Sequence, residues 1–230
     1  MRVCAAPPFA ASAPRVGDAR WRAHDLLKLK QLPEADDEPA WVRAAFARAP
    51  FAVVRRAEAA AGFVAAGVRG TARAERYGTW INTQDIELLI SPEVLLDREP
   101  SPERATLPAF VALAALRAHE ALNGYVWGPA GSVGFELAAQ VPTITASSDL
   151  DVLIRVPQRC DSASLHALAD ALATAARLAS TRVDAQLETP AGGVALAELA
   201  MGKARVLVRA SDGARLVADP WQARSSEPTS

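Results

Sequence analysis

Residues 147–156 read Ser-Ser-Asp-Leu-Asp-Val-Leu-Ile-Arg-Val, and this stretch decides the fold of the C-terminal half of the chain. Its branched and aliphatic interior predicts a β-strand. Side chains two apart on a strand point to the same side, so Asp149 and Asp151 project together while Leu150 turns into a core. Like charges this close repel, and a divalent cation between them relieves the repulsion. Two solvated aspartates at the start of an exposed strand are the alternative.

A third acid, Asp184, lies in the next predicted strand, residues 182–187, beyond an amphipathic helix predicted over 162–179. That strand should neighbour the first, which brings Asp184 towards Asp149 and Asp151. An unpaired carboxylate is costly to bury in a packed strand, and a shared magnesium site gives it a reason to be there, because Mg²⁺ prefers oxygen ligands. The alternative is a rim aspartate paired with an arginine: Arg182, Arg155 or Arg205.

A glycine-rich turn, Gly-Pro-Ala-Gly-Ser-Val-Gly at residues 128–134, lies between a predicted strand and a predicted helix. Glycines let the backbone approach a ligand, and a helix start offers free amides with a partial positive charge. Gly131 and Ser132 are therefore predicted to bind a phosphate group. The turn lacks the Gly-Lys-Ser/Thr ending of a Walker loop and the spacing of the dinucleotide fingerprint. A plain turn before a capped helix is the alternative.

A basic segment lies in the N-terminal half, where five arginines fall within 22 residues: Arg55, Arg56, Arg69, Arg73 and Arg76. Arginine suits planar, bidentate contacts to phosphate. Arg73 and Arg76 are three apart and would share one face of a helix predicted over residues 71–80. The alternative is a solvated basic surface, which is what charge runs usually are.

The composition describes an ordinary soluble globular protein of 230 residues, with 50% hydrophobic residues and a net charge of −1. A near-neutral balance argues against nucleic-acid binding through bulk positive charge. No apolar run approaches the ~20 residues that a membrane span needs. Cys4 and Cys160 form neither a disulfide framework nor a metal-binding spacing, which favours a reducing, cytoplasmic location.

The chain divides at residues 97–108, where three prolines and alternating charges predict a linker. We expect a disordered tail over 1–19, an N-terminal domain over 20–98, a C-terminal domain over 108–222, and a frayed end over 222–230. Strands and helices alternate before a final hairpin, which predicts an α/β (α+β) fold with a mixed sheet covered by helices. The remaining predicted helices cover 39–49, 108–122 and 132–139; the remaining strands cover 51–55, 62–68, 85–90, 125–127, 149–156, 204–209 and 214–218.

The order of strand, Gly-Ser turn, helix, Asp-x-Asp strand and third aspartate resembles the nucleotidyltransferase superfamily of the polymerase-β type. More specific blocks are WGPAGSVGFELA at 127–138, SSDLDVLI at 147–154, RVDAQLETPAGGVAL at 182–196 and LVADPW at 216–221. The N-terminal pieces RAHDLL, PFAVVRR and GVRG, at 22–27, 50–56 and 67–70, add to them. These blocks resemble the phosphoribosyl-dephospho-CoA transferases, the holo-acyl-carrier-protein synthases of malonate decarboxylase.

The resemblance implies a polymerase-β-like mixed sheet with a smaller N-terminal α/β domain that binds the donor. It also implies transfer of 2′-(5″-phosphoribosyl)-3′-dephospho-CoA from its triphosphate form to a serine of the apo acyl carrier protein, with release of diphosphate. Asp149 and Asp151 match the family's catalytic acids. With Asp184 they are the expected catalytic and magnesium-binding residues, and the expected donor-binding residues are Gly131, Ser132, Arg55, Arg56 and Arg69.

Two other functions remain open at this point. The domain could instead transfer an adenylyl or uridylyl group, or it could be a non-catalytic adaptor that binds the carrier protein or CoA. His24 either orients a substrate or only caps residues 26–30, and the sequence does not decide between these roles.

Overall fold

The computed structural model describes residues 2–10, 13, 15–16, 20–36, 38–72 and 74–222. Helices and strands are mixed, and two six-stranded sheets form the framework, so the predicted α+β class is confirmed. The chain forms two compact units. The first holds the residues up to Pro100 together with Gly134–Thr143, and the second holds Ser101–Val133 together with the chain from Ile144 onward. None of the helices in the described ranges is both long and apolar enough to cross a membrane.

The first unit is built on β-structure, with the α-helix α1 (Trp41–Arg48) and residues 134–139 of a second helix. Its strands are β1 (Arg2–Cys4), β2 (Arg15–Val16), β3 (Leu26–Leu29), β4 (Phe51–Val54), β5 (Ala59–Ala60), β6 (Phe63–Arg69), β7 (Arg76–Asn82) and β8 (Ile86–Ile90). The sheet order is β1-β7-β6-β4-β3-β8, and every neighbouring pair is antiparallel except β1 with β7. A separate two-stranded ribbon joins β2 and β5.

Strand β7 corrects the helix predicted over residues 71–80. Tyr77, Thr79 and Ile81 are buried while the residues between them are partly exposed, so the burial repeats every second residue. That period belongs to a half-buried strand and not to a helix. Leu26–Leu29 is also a strand, so His24 has no helix over 26–30 to cap.

The second unit carries the other sheet and most of the helices. Its helices are α2 (Pro108–Arg117), the first turn of α3 (Gly131–Ala139), α4 (Ser162–Ala179) and α5 (Leu196–Ala200). Its strands are β9 (Val126–Pro129), β10 (Leu150–Arg155), β11 (Val183–Thr189), β12 (Gly192–Ala195), β13 (Val206–Ala210) and β14 (Gly213–Val217). The order is β14-β13-β12-β11-β10-β9, and only β10 and β11 are parallel.

The parallel pair exists because α4 connects it. Parallel strands need a long crossover, and α4 supplies one between β10 and β11. The Asp161 carboxylate accepts a hydrogen bond from the Ser164 amide at 2.7 Å and caps the helix, which ends at the left-handed Ser180. Helix α4 buries Leu165, Leu168 and further apolar residues and packs against α2, β11 and α5, so the helices cover one face of this sheet.

Most predicted elements of both units are confirmed within a few residues, including α4 over its full predicted length. The helix predicted over 108–122 ends early, at Arg117, and a separate 3-10 turn follows at Glu120–Leu122. Strands β3, β5 and β12 and helix α5 were not predicted, nor were β1 and β2, which lie in the predicted tail. The other 3-10 turns are Thr83–Asp85, Pro92–Asp97 and Pro102–Arg104.

The structure bears on the predictions made for the two ends of the chain. In the described part of residues 1–19, the prediction of a disordered tail is wrong for β1 and β2, because both pair with other strands, and the Ala5 amide donates to the Gly78 carbonyl at 2.8 Å. Residues 1, 11–12, 14 and 17–19 of that stretch lie outside the described residues. Of the predicted frayed C-terminal end, residues 223–230 also lie outside them.

Candidate active site

The candidate catalytic acids lie together on adjacent strands of the second unit. Asp151 in β10 is directly opposite Asp184 in β11 in the parallel register. Asp149 comes immediately before β10 and faces the same side as Asp151, while Leu150 and Val152 are buried on the helix-covered face. The projection predicted from the Asp-x-Asp spacing is therefore observed.

One arginine joins two of these acids. The Arg182 guanidinium Nη2 lies 3.0 Å from Asp149 Oδ2 and 2.8 Å from Asp184 Oδ2. The Arg182 side chain is 62% exposed, those of Asp149 and Asp184 are 22% and 53% exposed, and water therefore screens both ion pairs. The bridging arginine therefore places the Asp149 and Asp184 carboxylates side by side.

Asp184 is not a buried carboxylate, so the cost of burial that the sequence led us to expect does not apply to it. It is the second residue of β11, on the exposed side of the strand, whereas Ala185 and Leu187 are buried. Its pairing with Arg182 is the alternative considered from the sequence. The catalytic role of Asp184 stays a prediction, now based on its position opposite Asp151.

The glycine turn lies directly against the acids. The Ala130 amide donates to the Asp151 carbonyl at 2.8 Å, and Gly131 follows with a φ of +57°. A Cβ at Gly131 would overlap the Asp151 carboxylate, so a larger residue here would displace that side chain. Ser132, partly exposed, is the next residue in the first turn of α3. Gly131 and Ser132 thus begin the helix that starts beside Asp151.

Magnesium fits these residues by ligand type, because carboxylate oxygens are what Mg²⁺ prefers. Within the described ranges, however, no three His, Cys, Asp or Glu side chains come together as a metal-binding set. Arg182 neutralises Asp149 and Asp184 instead. A magnesium site formed by Asp149, Asp151 and Asp184 stays a prediction.

The predicted donor-binding arginines belong to the first unit. Gly67 and Gly78 face each other on β6 and β7, and the Arg55 side chain lies over both of them, with Nη1 donating to Cys4 Sγ at 3.2 Å. A Cβ on Gly78 would overlap the Arg55 guanidinium. The pair of glycines therefore makes room for this arginine to lie on the sheet.

Two further arginines share that face of the sheet. Arg69 and Arg76 are partners in the β6–β7 register and lie two residues from Gly67 and Gly78, so by strand alternation they point to the same side as Arg55. Arg56 is partly exposed and follows Arg55 beyond the end of β4. Arg73 lies outside the described residues, and the helix that would have paired it with Arg76 does not form.

The histidines and Cys160 have local structural contacts. His119 Nδ1 accepts a hydrogen bond from the Ala121 amide at 3.2 Å, and His166 Nδ1 lies 3.3 Å from Ser162 Oγ. His24 has a left-handed φ of +76°, and its amide donates to the Val54 carbonyl. Burial raises the pKa of the Cys160 thiol, which favours the protonated, less nucleophilic form.

Arg182 is a site residue that the sequence did not single out, because it was only one of three arginines predicted as possible partners of Asp184. Its spacing of two residues from Asp184 is the signal that could have singled it out, because side chains two apart along an extended chain share a face. Its pairing with Asp149 follows from the joining of β10 to β11, where the Leu150 amide donates to the Arg182 carbonyl at 2.9 Å.

A glycine turn that opens a helix beside paired strand aspartates is an arrangement suited to a group-transfer enzyme that acts on phosphate. Family models place the chain within that class. The model of the phosphoribosyl-dephospho-CoA transferase MdcG N-terminal domain matches residues 22–92, and that of the C-terminal domain matches residues 95–220.

Curated relatives agree with the family models. A phosphoribosyl-dephospho-CoA transferase of Pseudomonas putida (strain W619) is 41% identical over 210 residues, covering 91% of this chain and 96% of the relative. The proteins of that name from Pseudomonas aeruginosa and Azotobacter vinelandii are 43% and 40% identical, each covering 86% of this chain and 93% of the relative. No solved structure matches. The chain belongs to the phosphoribosyl-dephospho-CoA transferase family and is a transferase, as its sequence blocks predict.

Proposed function

We propose that this transferase moves 2′-(5″-phosphoribosyl)-3′-dephospho-CoA from its triphosphate precursor to a serine of the apo acyl carrier protein of malonate decarboxylase. The observation that carries this proposal is the close approach of Gly131 to Asp151, with Asp184 opposite in register. A phosphate held at the start of α3 would lie next to carboxylates, which is the arrangement that phosphoryl-group transfer through a cation needs.

The reaction is an in-line displacement at the α-phosphorus of the donor. The serine Oγ forms a bond to phosphorus as the bond from phosphorus to the diphosphate oxygen breaks, and diphosphate leaves. The serine proton passes to the Asp184 carboxylate, whose 53% exposure allows its return to solvent. Asp149 and Asp151 would hold Mg²⁺, which offsets negative charge on the attacking and leaving oxygens.

The remaining residues bind and orient the donor. The amide groups at Gly131 and Ser132 are suited to the diphosphate portion, since a helix start attracts anions. In the first unit, Arg55 and Arg69 supply charge-assisted hydrogen bonds for further phosphate groups, and Arg56 follows beside Arg55. Both cysteines are free, which suits action in a reducing, cytoplasmic compartment.

Mass spectrometry of the apo carrier protein tests this function. Incubation with the triphosphate donor, Mg²⁺ and this enzyme should add the mass of the prosthetic group to the carrier serine and release diphosphate. ATP and UTP serve as competing donors, and an adenylyl or uridylyl mass on the carrier would overturn the choice of donor. An unmodified carrier in every reaction, with the enzyme folded, would overturn the proposed transfer itself.

A further inference from the structure

The sheet face that carries the acids continues across the second unit to its far edge. Paired residues of a sheet share a face, and the register runs from Glu188 in β11 to Gly193 in β12 and Arg209 in β13. Glu188 and Asp184 are four residues apart on β11, so they lie on one face with each other and with Arg209. The acids and the β13–β14 hairpin are thus exposed on the same side.

That hairpin has a distinctive outer surface, which we call the hairpin face: Arg205, Leu207, Arg209, Ala214 and Leu216. The alternate residues Val206 and Val208 are buried in the core with Val194. On the hairpin face, Leu207 pairs with Leu216 and Arg209 with Ala214. Leu216 is 54% exposed, and Arg205 and Arg209 are exposed as well. The hairpin face therefore combines an exposed leucine with two positive charges.

The charge of the hairpin face is not neutralised locally. Residues 205–217 contain three arginines and one acid. The acid, Asp212, pairs with Arg215 at 2.9 Å. Within the described part of the chain, neither Arg205 nor Arg209 forms a salt bridge, and Arg205 Nη2 instead donates to the Leu216 carbonyl at 2.8 Å. A partner with an acidic surface and an apolar contact residue would complement this face.

The distance from the hairpin face to the acids suits docking by a protein substrate. Two strand spacings separate Glu188 from Arg209, roughly 10 Å, and four residues separate Glu188 from Asp184, roughly 13 Å. The diagonal from Asp184 to Arg209 is therefore about 16 Å. A standard protein interface buries about 800 Å² on each partner, which is large enough to cover both Asp184 and Arg209.

We propose that the hairpin face is the docking surface for the acceptor protein, an acidic carrier domain whose serine then reaches the Asp151–Asp184 region. This inference rests on the proposed function, since it assumes that the acceptor is a protein. Arg209 and Leu216 would bind the acceptor, and the donor would be bound beside the acids and not on the hairpin face. The attraction between the exposed arginines and an acidic acceptor is electrostatic, so binding weakens as salt increases.

The test compares Arg209→Glu and Leu216→Ser with a matched control, Arg177→Glu. Arg177 is an exposed arginine on α4, in the helical layer on the other side of the sheet. We expect Arg209→Glu to raise the KM for the purified apo carrier about tenfold or more, because it replaces attraction with like-charge repulsion. The KM for the triphosphate donor and kcat stay unchanged. Leu216→Ser raises the carrier KM less, and Arg177→Glu leaves it unchanged.

Calorimetric titration of the apo carrier into each variant, with no donor present, measures the affinity for the carrier separately from the transfer reaction. Weaker binding by Arg209→Glu, restored by an acidic-to-basic substitution on the carrier, would support the docking surface even if transfer were not observed. Unchanged carrier binding in Arg209→Glu and Leu216→Ser would overturn it, even with transfer intact in the wild type. A raised donor KM in place of a raised carrier KM would also overturn it, by assigning the hairpin face to the donor.

Discussion

The backbone of Gly131 lies against the carboxylate of Asp151 so closely that a Cβ at Gly131 would overlap Oδ2. The two residues belong to different elements, one at the start of α3 and one in β10. Their contact brings a helix N-terminus to a strand carboxylate. Helix starts favour negative charge, so a phosphate bound there would lie next to the Asp151 carboxylate, and a cation between them would relieve the repulsion.

Gly131→Ala should reduce the rate of transfer and destabilise the fold only slightly. Gly124 is a matched control, because it also has a positive φ, +83°, but its added Cβ meets nothing within 4 Å. Both alanine variants should lose about 1 kcal/mol of unfolding free energy through left-handed strain. Only Gly131→Ala should also reduce kcat, since it displaces Asp151. Equal kcat in the two variants would contradict a role for this contact.

Asp151→Asn should abolish transfer and leave the fold intact. The side chain is exposed, so its change should alter the unfolding free energy by less than about 0.5 kcal/mol. Loss of the negative charge should lower kcat by about 10²–10³-fold or more. Asp149→Asn should behave similarly. The measurement is carrier modification at saturating donor and Mg²⁺, with thermal unfolding as the check on folding; retained transfer would argue against the assignment.

Arg182→Ala should lower the Mg²⁺ concentration that gives half-maximal activity. The guanidinium neutralises Asp149 and Asp184, so removing it increases the negative potential that attracts a cation. The ion pairs are exposed, and their loss should change stability by less than about 1 kcal/mol. Arg182→Lys keeps the charge and should retain the wild-type magnesium requirement. If Arg182→Ala needed the same Mg²⁺ concentration as the wild type for half-maximal activity, the idea that Arg182 affects metal binding would be wrong.

Arg69→Ala and Arg55→Ala should weaken donor binding. A charge-assisted hydrogen bond contributes about 1.5–3 kcal/mol, so calorimetry should record a Kd about 10–100-fold higher. Gly78→Ala should have the same direction of effect, because its methyl group displaces the Arg55 guanidinium. Arg177→Ala, on α4, provides the comparison for a general loss of positive charge. Unaltered donor affinity in Arg69→Ala would remove that residue from the donor site.

Asp161→Ala should lower the melting temperature in a pH-dependent way. The Ser164 amide donates to the Asp161 carboxylate and lowers the pKa of that group below its usual 3.8. A lowered pKa stabilises the fold above the usual value, and that stabilisation is lost as the pH falls through the lowered pKa. The difference in Tm between wild type and Asp161→Ala should therefore be largest near neutral pH and shrink in acid. Asp161→Asn keeps an acceptor at the cap and should remain near the wild type in acid.

The local pattern of apolar residues predicted helix α4 correctly but led to a helix being predicted where strand β7 forms. Helix α4 has an apolar stripe, an aspartate cap and a clear end, and its predicted bounds match the structure. Residues 71–80 contain no comparable helical stripe of apolar residues. The alternation of buried and exposed residues that identifies β7 as a strand is evident only from the burial of Tyr77 and Ile81 in the folded structure. The burial of Asp184 was also misjudged, because the residues beside it do not reveal which face of the sheet is covered.

The sequence by itself determined the family, the alternation of strands and helices, and the common side of Asp149 and Asp151, since two-residue spacing and chemical type are local properties. Only the tertiary structure decided that Asp151 stands opposite Asp184, that Arg182 joins Asp149 to Asp184, and that Gly131 lies against Asp151. These relationships depend on strand register and on the packing of segments distant in the chain. Register is selected by the burial of whole strand faces, so no single stretch of sequence specifies it.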